Sequence, residues 1–131
     1  MRMEAFSRCG GVLLLAAMLG LSVPAQAGEV VREFNGSRST DTPEFEVRAP
    51  WILDWRVVGE YPRTMAVEVS LVEAGSGVHV GNVLRTKWPG NGVRLFDEGG
   101  RYHFQVISNL AEWSLKVEQL SPEEAEAYTP R

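Results

Sequence analysis

The chain has few of the residues that usually carry disulfide, metal or nucleic-acid chemistry. Of its 131 residues, one is cysteine and two are histidine. The single cysteine, Cys9, lies near the N-terminus, so a domain formed by the later residues cannot be stapled by disulfides and must rely on a packed core. No basic run occurs, and 13 Lys and Arg face 17 Asp and Glu, a net charge of −4. This balance argues against nucleic acid and anionic lipid as partners.

The N-terminal segment has the pattern of a cleavable export signal. Arg2 and Arg8 supply a basic start, residues 10–23 are uncharged and mostly apolar, and residues 25–27 match a small-x-small cleavage pattern. The apolar run is shorter than the roughly 20 residues that a membrane-spanning helix needs. The sequence therefore predicts a signal peptide over residues 1–27, export to the bacterial periplasm or exterior, and no membrane anchor after cleavage.

The stretch 42–58 carries the clearest strand pattern. Apolar and charged residues alternate before Pro50, and alternate again after it, as in two half-buried strands. The polar positions of the second strand include Asp54 and Arg56, which are predicted to form a surface ion pair. Its apolar face carries Trp51, Leu53, Trp55 and Val57. Because each tryptophan can bury about 150–250 Å², the core is predicted to form around this face.

The remaining chain alternates in the same way and predicts an all-β fold. Further strands are predicted at 29–34, 65–72, 79–87, 93–96, 102–107 and 113–118, separated by Gly-, Pro- and Asn-rich turns. No helical pattern intervenes between these strands. About eight short strands of this kind predict an antiparallel β-sandwich of jelly-roll type, with a closed barrel as the alternative.

The C-terminal residues predict a short helix outside this domain. Ser121, Pro122 and Glu124 form a capping box with proline at the first helical position, and the helix should end near Tyr128. The predicted organisation is a sandwich domain over residues 28–120 and an acidic helical tail over residues 121–131. The tail offers few apolar residues, so it is predicted to pack weakly and to be dispensable for folding.

Two patches of the sequence resemble a known group of proteins. The first comprises residues 34–37, 42–47 and 51–55, and the second comprises residues 98–106 and 113–117. They resemble small, mostly uncharacterised exported bacterial β-sandwich proteins, with a looser similarity to the bacterial pre-peptidase C-terminal domain. The resemblance implies a non-catalytic accessory or interaction module, and it carries over no active-site residue.

Residues with catalytic or metal-binding potential are scattered and match no motif. His79 and His103 have neither the HxH nor the HExxH spacing, and are interpreted as ordinary strand residues. The acidic turn at 97–100 lacks an oxygen ligand at every second position, so with Asp41 it is not predicted to bind calcium. No Gly-x-Ser-x-Gly elbow occurs. The sequence predicts no cofactor, no metal and no catalytic residue. A small periplasmic hydrolase with paired carboxylates remains an alternative.

Trp88 is the one tryptophan placed in a turn. With Asn91 and Arg94 it forms the candidate ligand or partner surface, since an exposed tryptophan can stack on a sugar or anchor a protein. The favoured interpretation of Trp88 alone is that it folds back and closes one end of the sandwich. The predicted function is an exported, non-catalytic binding or structural accessory module for an unknown protein or glycan. The alternatives are a carbohydrate-binding domain that uses Trp88 and the hydrolase.

Overall fold

The computed structural model describes residues 28–129, so the predicted signal peptide at 1–27 lies outside the described residues. The described chain forms nine strands, a short helix α1 and a closing 3-10 turn at Glu126–Tyr128. The two-residue strand β2 is the one that the sequence pattern missed. The elements are β1 (Glu29–Gly36), β2 (Thr40–Asp41), β3 (Phe45–Val47), β4 (Trp51–Val58), β5 (Ala66–Glu73), β6 (His79–Thr86), β7 (Gly90–Phe96), β8 (Gly100–Asn109), β9 (Glu112–Gln119) and α1 (Pro122–Ala125).

The strands form two antiparallel sheets. One sheet has the order β1-β9-β4-β7, and the other has the order β2-β8-β5-β6, with β3 also paired to β8. The main core lies between them, because its buried side chains come alternately from strands of both sheets. Leu53 and Leu115 contribute from the four-stranded sheet, and Val69 and Phe104 from the five-stranded sheet. The predicted antiparallel sandwich is therefore confirmed, and the barrel alternative is wrong.

The three tryptophans expected in the core differ in burial. Trp51 and Trp113 are buried, whereas Trp55 is only partly buried and packs against the core from the side of β7. Its ring lies over Gly92, where an added Cβ would come within 2.8 Å of the indole. Trp55 therefore joins the core as expected, but only in part, because its neighbour β7 is the last strand of the sheet.

The outer face of the four-stranded sheet contains a second, smaller apolar cluster. Ile52 points away from the main core, yet it is buried against Leu120 and Ala125. The capping box that starts α1 is present: the Ser121 hydroxyl accepts from the Glu124 N–H at 3.1 Å, and the Glu124 carboxylate accepts from the Ser121 N–H at 2.7 Å. The tail therefore contacts Ile52 through Ala125, with Tyr128 packed alongside, and its dispensability for folding stays a prediction.

Strand β7 is an edge strand, since it pairs with β4 alone. Arg94 lies opposite the buried Leu53, so it is on the inward face of this edge. Its Nη1 donates to the carbonyl oxygen of Asn82 on β6 at 2.9 Å, and its guanidinium lies 5.5 Å from the Phe96 ring. Arg94 thus links the edges of the two sheets. An inward-pointing charge of this kind also discourages pairing with another chain.

The two ends of the sandwich have different connections. At the end we call the apical end, four connections all cross from one sheet to the other: residues 37–39, 59–65, 87–89 and 110–111. At the opposite end, which we call the base, the Trp51 ring stacks on Phe96 with centroids 4.1 Å apart. The Trp51 indole N–H donates to the carbonyl oxygen of Glu98 at 2.9 Å. The base is therefore closed by buried aromatic rings.

Candidate binding surface

The apical end exposes large apolar side chains from three of its crossing connections and one adjoining strand end. Relative exposure is 58% for Tyr61, 55% for Trp88, 53% for Leu110 and 44% for Val58. They come from three separate parts of the sequence, residues 58–61, 88 and 110, and the strand order brings them to one end. Loops held by a rigid scaffold are the usual position of binding residues, and clustered exposed apolar side chains mark interaction sites.

Hydrogen bonds hold two of the apical connections together. The Arg63 N–H donates to the carbonyl oxygen of Lys87 at 2.8 Å, which ties the 59–65 connection to the 87–89 connection. The Tyr61 carbonyl oxygen accepts from the N–H groups of Thr64 and Met65, which closes a tight turn. These bonds fix the backbone at Tyr61 while its side chain stays in solvent.

Trp88 is held in a comparable way. The Thr86 hydroxyl accepts from the Trp88 N–H and donates to the Trp88 carbonyl oxygen, both at 3.0 Å. Both backbone groups of Trp88 are satisfied, so its exposed ring does not follow from a loose turn. The favoured expectation that Trp88 folds back over the sandwich is wrong, because the short turn directs the ring outward.

A shallow depression of about 540 Å³ lies between the 59–65 and 110–111 connections, and we call it the apical depression. Its lining includes Ser37, Val58, Gly59, Glu60, Tyr61, Leu110, Ala111 and Glu112. A second depression of about 450 Å³ adjoins it and shares Ser37, Val58 and Glu112. The apical end thus offers a mixed surface of apolar walls and exposed carboxylates.

Leu110 has an unusual backbone conformation. Its φ is 58°, in the left-handed region that glycine and asparagine enter more readily. For an ordinary L-residue this conformation costs on the order of 1–2 kcal/mol. The side chain gains little burial in return, since it is exposed. The fold needs the backbone turn at this position, but it does not need the leucine side chain.

A row of polar side chains crosses the outer face of the four-stranded sheet next to the apical end. Strand register aligns one residue from each strand: Asn35, Ser114, Arg56 and Asn91. None of these side chains makes a hydrogen bond within residues 28–129. Arg56 also makes no ion pair there, so the predicted Asp54–Arg56 pair is absent. Amide, hydroxyl and guanidinium groups left free in this way can bind a polar ligand.

The candidate residues from the sequence occupy three different settings. Trp88 is exposed in an apical connection, Asn91 is on the outer face of β7 opposite Arg56, and Arg94 is on the inner face opposite Leu53. Asn91 and Arg94 therefore lie on opposite faces of β7. Side chains alternate between the two faces of a strand, and these two residues are an odd number of positions apart. The candidates drawn from the sequence did not include Val58, Tyr61 or Leu110. The one signal for them was the position of Tyr61 in a segment that contains Gly and Pro, which is typical of an exposed loop.

The two histidines lie on either side of one strand. Val72 of β5 pairs with His79 of β6 and with His103 of β8, so β5 separates them. Within residues 28–129, no group of three or more His, Cys, Asp or Glu residues is placed to hold a metal ion.

One carboxylate, that of Glu68, belongs to a polar network on the outer face of the five-stranded sheet. Its Oε2 accepts from Arg85 at 2.8 Å and from Asn82 at 3.0 Å. The hydrogen bond from Arg85 is the main cause that lowers the Glu68 pKa, and the bond from Asn82 adds to it. A carboxyl whose pKa is lowered is a poor general acid.

No protein family and no curated protein matches the chain. In the described part of the chain, none of the helical segments is long and apolar enough to cross a membrane.

Proposed function

We propose that the chain is an exported, non-catalytic binding module whose binding surface is the apical end of the sandwich. The carrying observation is the convergence of Val58, Tyr61, Trp88 and Leu110, all exposed, at the end where four connections cross between the sheets. Export rests on the signal-peptide pattern of residues 1–27.

The contrast with the core supports a binding role for this end. The side chains of the main core are buried, although single apolar side chains such as Val30, Val80 and Ile107 are exposed on other parts of the surface. Exposing several large apolar side chains together is unfavourable in water, and burying each one in a complex contributes about 1.5–3 kcal/mol. Hydrogen bonds preorganise the loops of Tyr61 and Trp88, so binding there loses little loop entropy.

The experiment maps binders onto the protein surface. The full chain is screened against a random heptapeptide display library and an oligosaccharide array, and the binders are mapped by backbone and indole chemical-shift changes. We expect the changes to concentrate at residues 59–65, 87–89 and 110–111, and the Trp88→Ser and Tyr61→Ser variants to bind at least tenfold more weakly. Glu46→Gln, on the distant outer face of β3, serves as the control that leaves binding unchanged.

Two results would contradict the proposal. One is a set of binders whose shift changes map to the base and are insensitive to Trp88→Ser. The other is turnover of a substrate that disappears when a single polar residue is replaced, which would favour the hydrolase.

Carbohydrate binding is the second candidate, and the polar row supports it. Asn35, Ser114, Arg56 and Asn91 lie in one register on a flat sheet face, and their side chains are free to bond a sugar's hydroxyl groups. Trp88 precedes the strand that carries Asn91, and an exposed indole can stack on a sugar ring. This candidate predicts oligosaccharide binding that weakens on both Asn91→Ala and Trp88→Ser. Binding of peptides alone would exclude it.

A further inference from the structure

We infer that the apical depression accepts a large apolar side chain of a protein partner, with a Lys or Arg of that partner placed beside it. This inference rests on the proposed function and names the class of ligand. Three observations at the depression carry it: its apolar walls, the conformation of Leu110 and the sign of its charge.

The walls are apolar and stand apart from each other. Val58, Tyr61 and Leu110 line the depression and are exposed, while Ala111 beside them is buried. A volume of about 540 Å³ is ample for a leucine or phenylalanine side chain together with part of its backbone. An inserted side chain would cover all three exposed residues at once.

Leu110 occupies a position at which its backbone conformation is strained. Its φ of 58° favours glycine or asparagine, and with 53% of the residue exposed it gains little burial in the fold. Strained backbone positions of this kind concentrate at functional sites. The apolar character of Leu110 indicates that its partner is apolar too.

The two charged residues that line the depression are acidic, while Arg56 lines the adjoining depression and Arg38 and Arg63 lie in the apical connections. Glu60 and Glu112 line it, both are exposed, and neither forms an ion pair within residues 28–129. None of the described Lys or Arg side chains lines the depression. Complementarity therefore requires a partner with a positive charge near its apolar side chain.

The test uses peptides selected on the full chain from a random heptapeptide display library. We expect the selected peptides to combine a Leu, Ile, Phe or Met with Lys or Arg, and their binding to weaken at raised salt. Leu110→Asn should weaken binding at least tenfold without lowering the melting temperature, since asparagine tolerates the same φ. Glu60→Gln combined with Glu112→Gln should weaken binding of the basic peptides to a similar degree.

The outcomes separate this inference from the proposed function. Peptides sensitive to Trp88→Ser but not to Leu110→Asn would overturn the inference and leave the apical binding surface in place. Peptides insensitive to both would overturn both. Selected peptides without Lys or Arg, or failure to select any peptide, would overturn the inference. The chain could also self-associate, with Leu110→Asn abolishing that association. This result would overturn the inference of a basic partner, because the occupant of the depression would then be a second copy of the chain.

Discussion

The base of the sandwich buries its tryptophan, whereas the apical end buries Trp113 and exposes two other aromatic rings. At the base, Trp51 is fully buried, stacks on Phe96 and satisfies its indole N–H with the carbonyl of Glu98. At the apical end, Trp88 and Tyr61 are held by well-bonded backbones and direct their rings into solvent. The aromatic rings of the base are covered by the chain itself, although Val78 and Val80 at that end are exposed, whereas the apical end leaves exposed aromatic rings that a partner can cover.

Backbone polar groups at the base are also hydrogen-bonded within the chain. The Gln119 amide donates to the carbonyl oxygens of Arg48 at 2.6 Å and Pro50 at 3.0 Å, and its oxygen accepts from the Arg48 N–H at 2.8 Å. One side chain thus ties the connection between β3 and β4 to the end of β9. The exposed apolar side chains of the apical end are therefore a local feature of that end, and they do not reflect a loosely packed domain.

The largest expected effect compares one residue type at the two ends. Trp51→Ala should lower the free energy of unfolding by about 3–5 kcal/mol, because it opens a cavity in the core. Trp88→Ala should change it by less than about 0.5 kcal/mol, because the ring touches little of the fold. Urea unfolding of both variants measures the difference. Similar losses in the two variants would show that the ends do not differ as described.

The next effect concerns the tail that packs on the outer face. Deleting residues 121–131 should lower the free energy of unfolding by about 1.5–3 kcal/mol, because Ile52 becomes exposed. Calorimetry of the intact and truncated chains measures this loss. The matched control is Ile52→Ala, whose effect should be smaller in the truncated chain since both changes act on one contact. An unchanged melting transition after truncation would support the original prediction that the tail is dispensable.

A smaller effect, of opposite sign, is expected at the apical end. Leu110→Asn should raise the free energy of unfolding by up to about 1 kcal/mol, because it relieves the left-handed strain at a residue that is 53% exposed. Leu110→Ala keeps the strain and is the control, with no stabilisation expected. Thermal unfolding compares the three chains. A clear destabilisation by Leu110→Asn would show that the leucine side chain supports the fold.

The smallest expected effect is a pH dependence at the base. Burial raises the pKa of Tyr102 above its ordinary value of 10.0, and the charges of Glu98 and Glu73 add to the shift. Above about pH 10 the unfolded chain loses this proton while the folded chain keeps it, so stability should fall as the pH rises. Tyr102→Phe should make the fall shallower in unfolding curves between pH 9 and about 11. Parallel curves for the two chains would contradict this assignment.

The strands were predictable because their signal is local. Alternation placed Leu53 and Val57 on the buried face of β4, and the same pattern placed Leu115 and Val117 on the buried face of β9. The capping box at Ser121 and Glu124 likewise needs only four consecutive residues. The burial of Ile52 could not be predicted in this way, since it depends on a tail that returns across the outer face from residues far along the chain.

The candidate site was predictable only in part. Trp88 stood out because a tryptophan in a turn breaks the core pattern, but its exposure depends on how the Thr86 hydroxyl bonds the turn. Asn91 and Arg94 are neighbours in sequence, yet they are on opposite faces because β7 is a regular strand from Gly90 onward. Nothing in the sequence indicated that Leu110 has a positive φ.

The sequence by itself determined the all-β class, most strand positions, the capped tail and the lack of any disulfide after Cys9, because each follows from residue type and near-neighbour spacing. Only the tertiary structure decided that Val58, Tyr61, Trp88 and Leu110 share one end of the sandwich. That convergence depends on the strand order and on connections that cross between sheets. Both are long-range properties, set by the packing of the whole core.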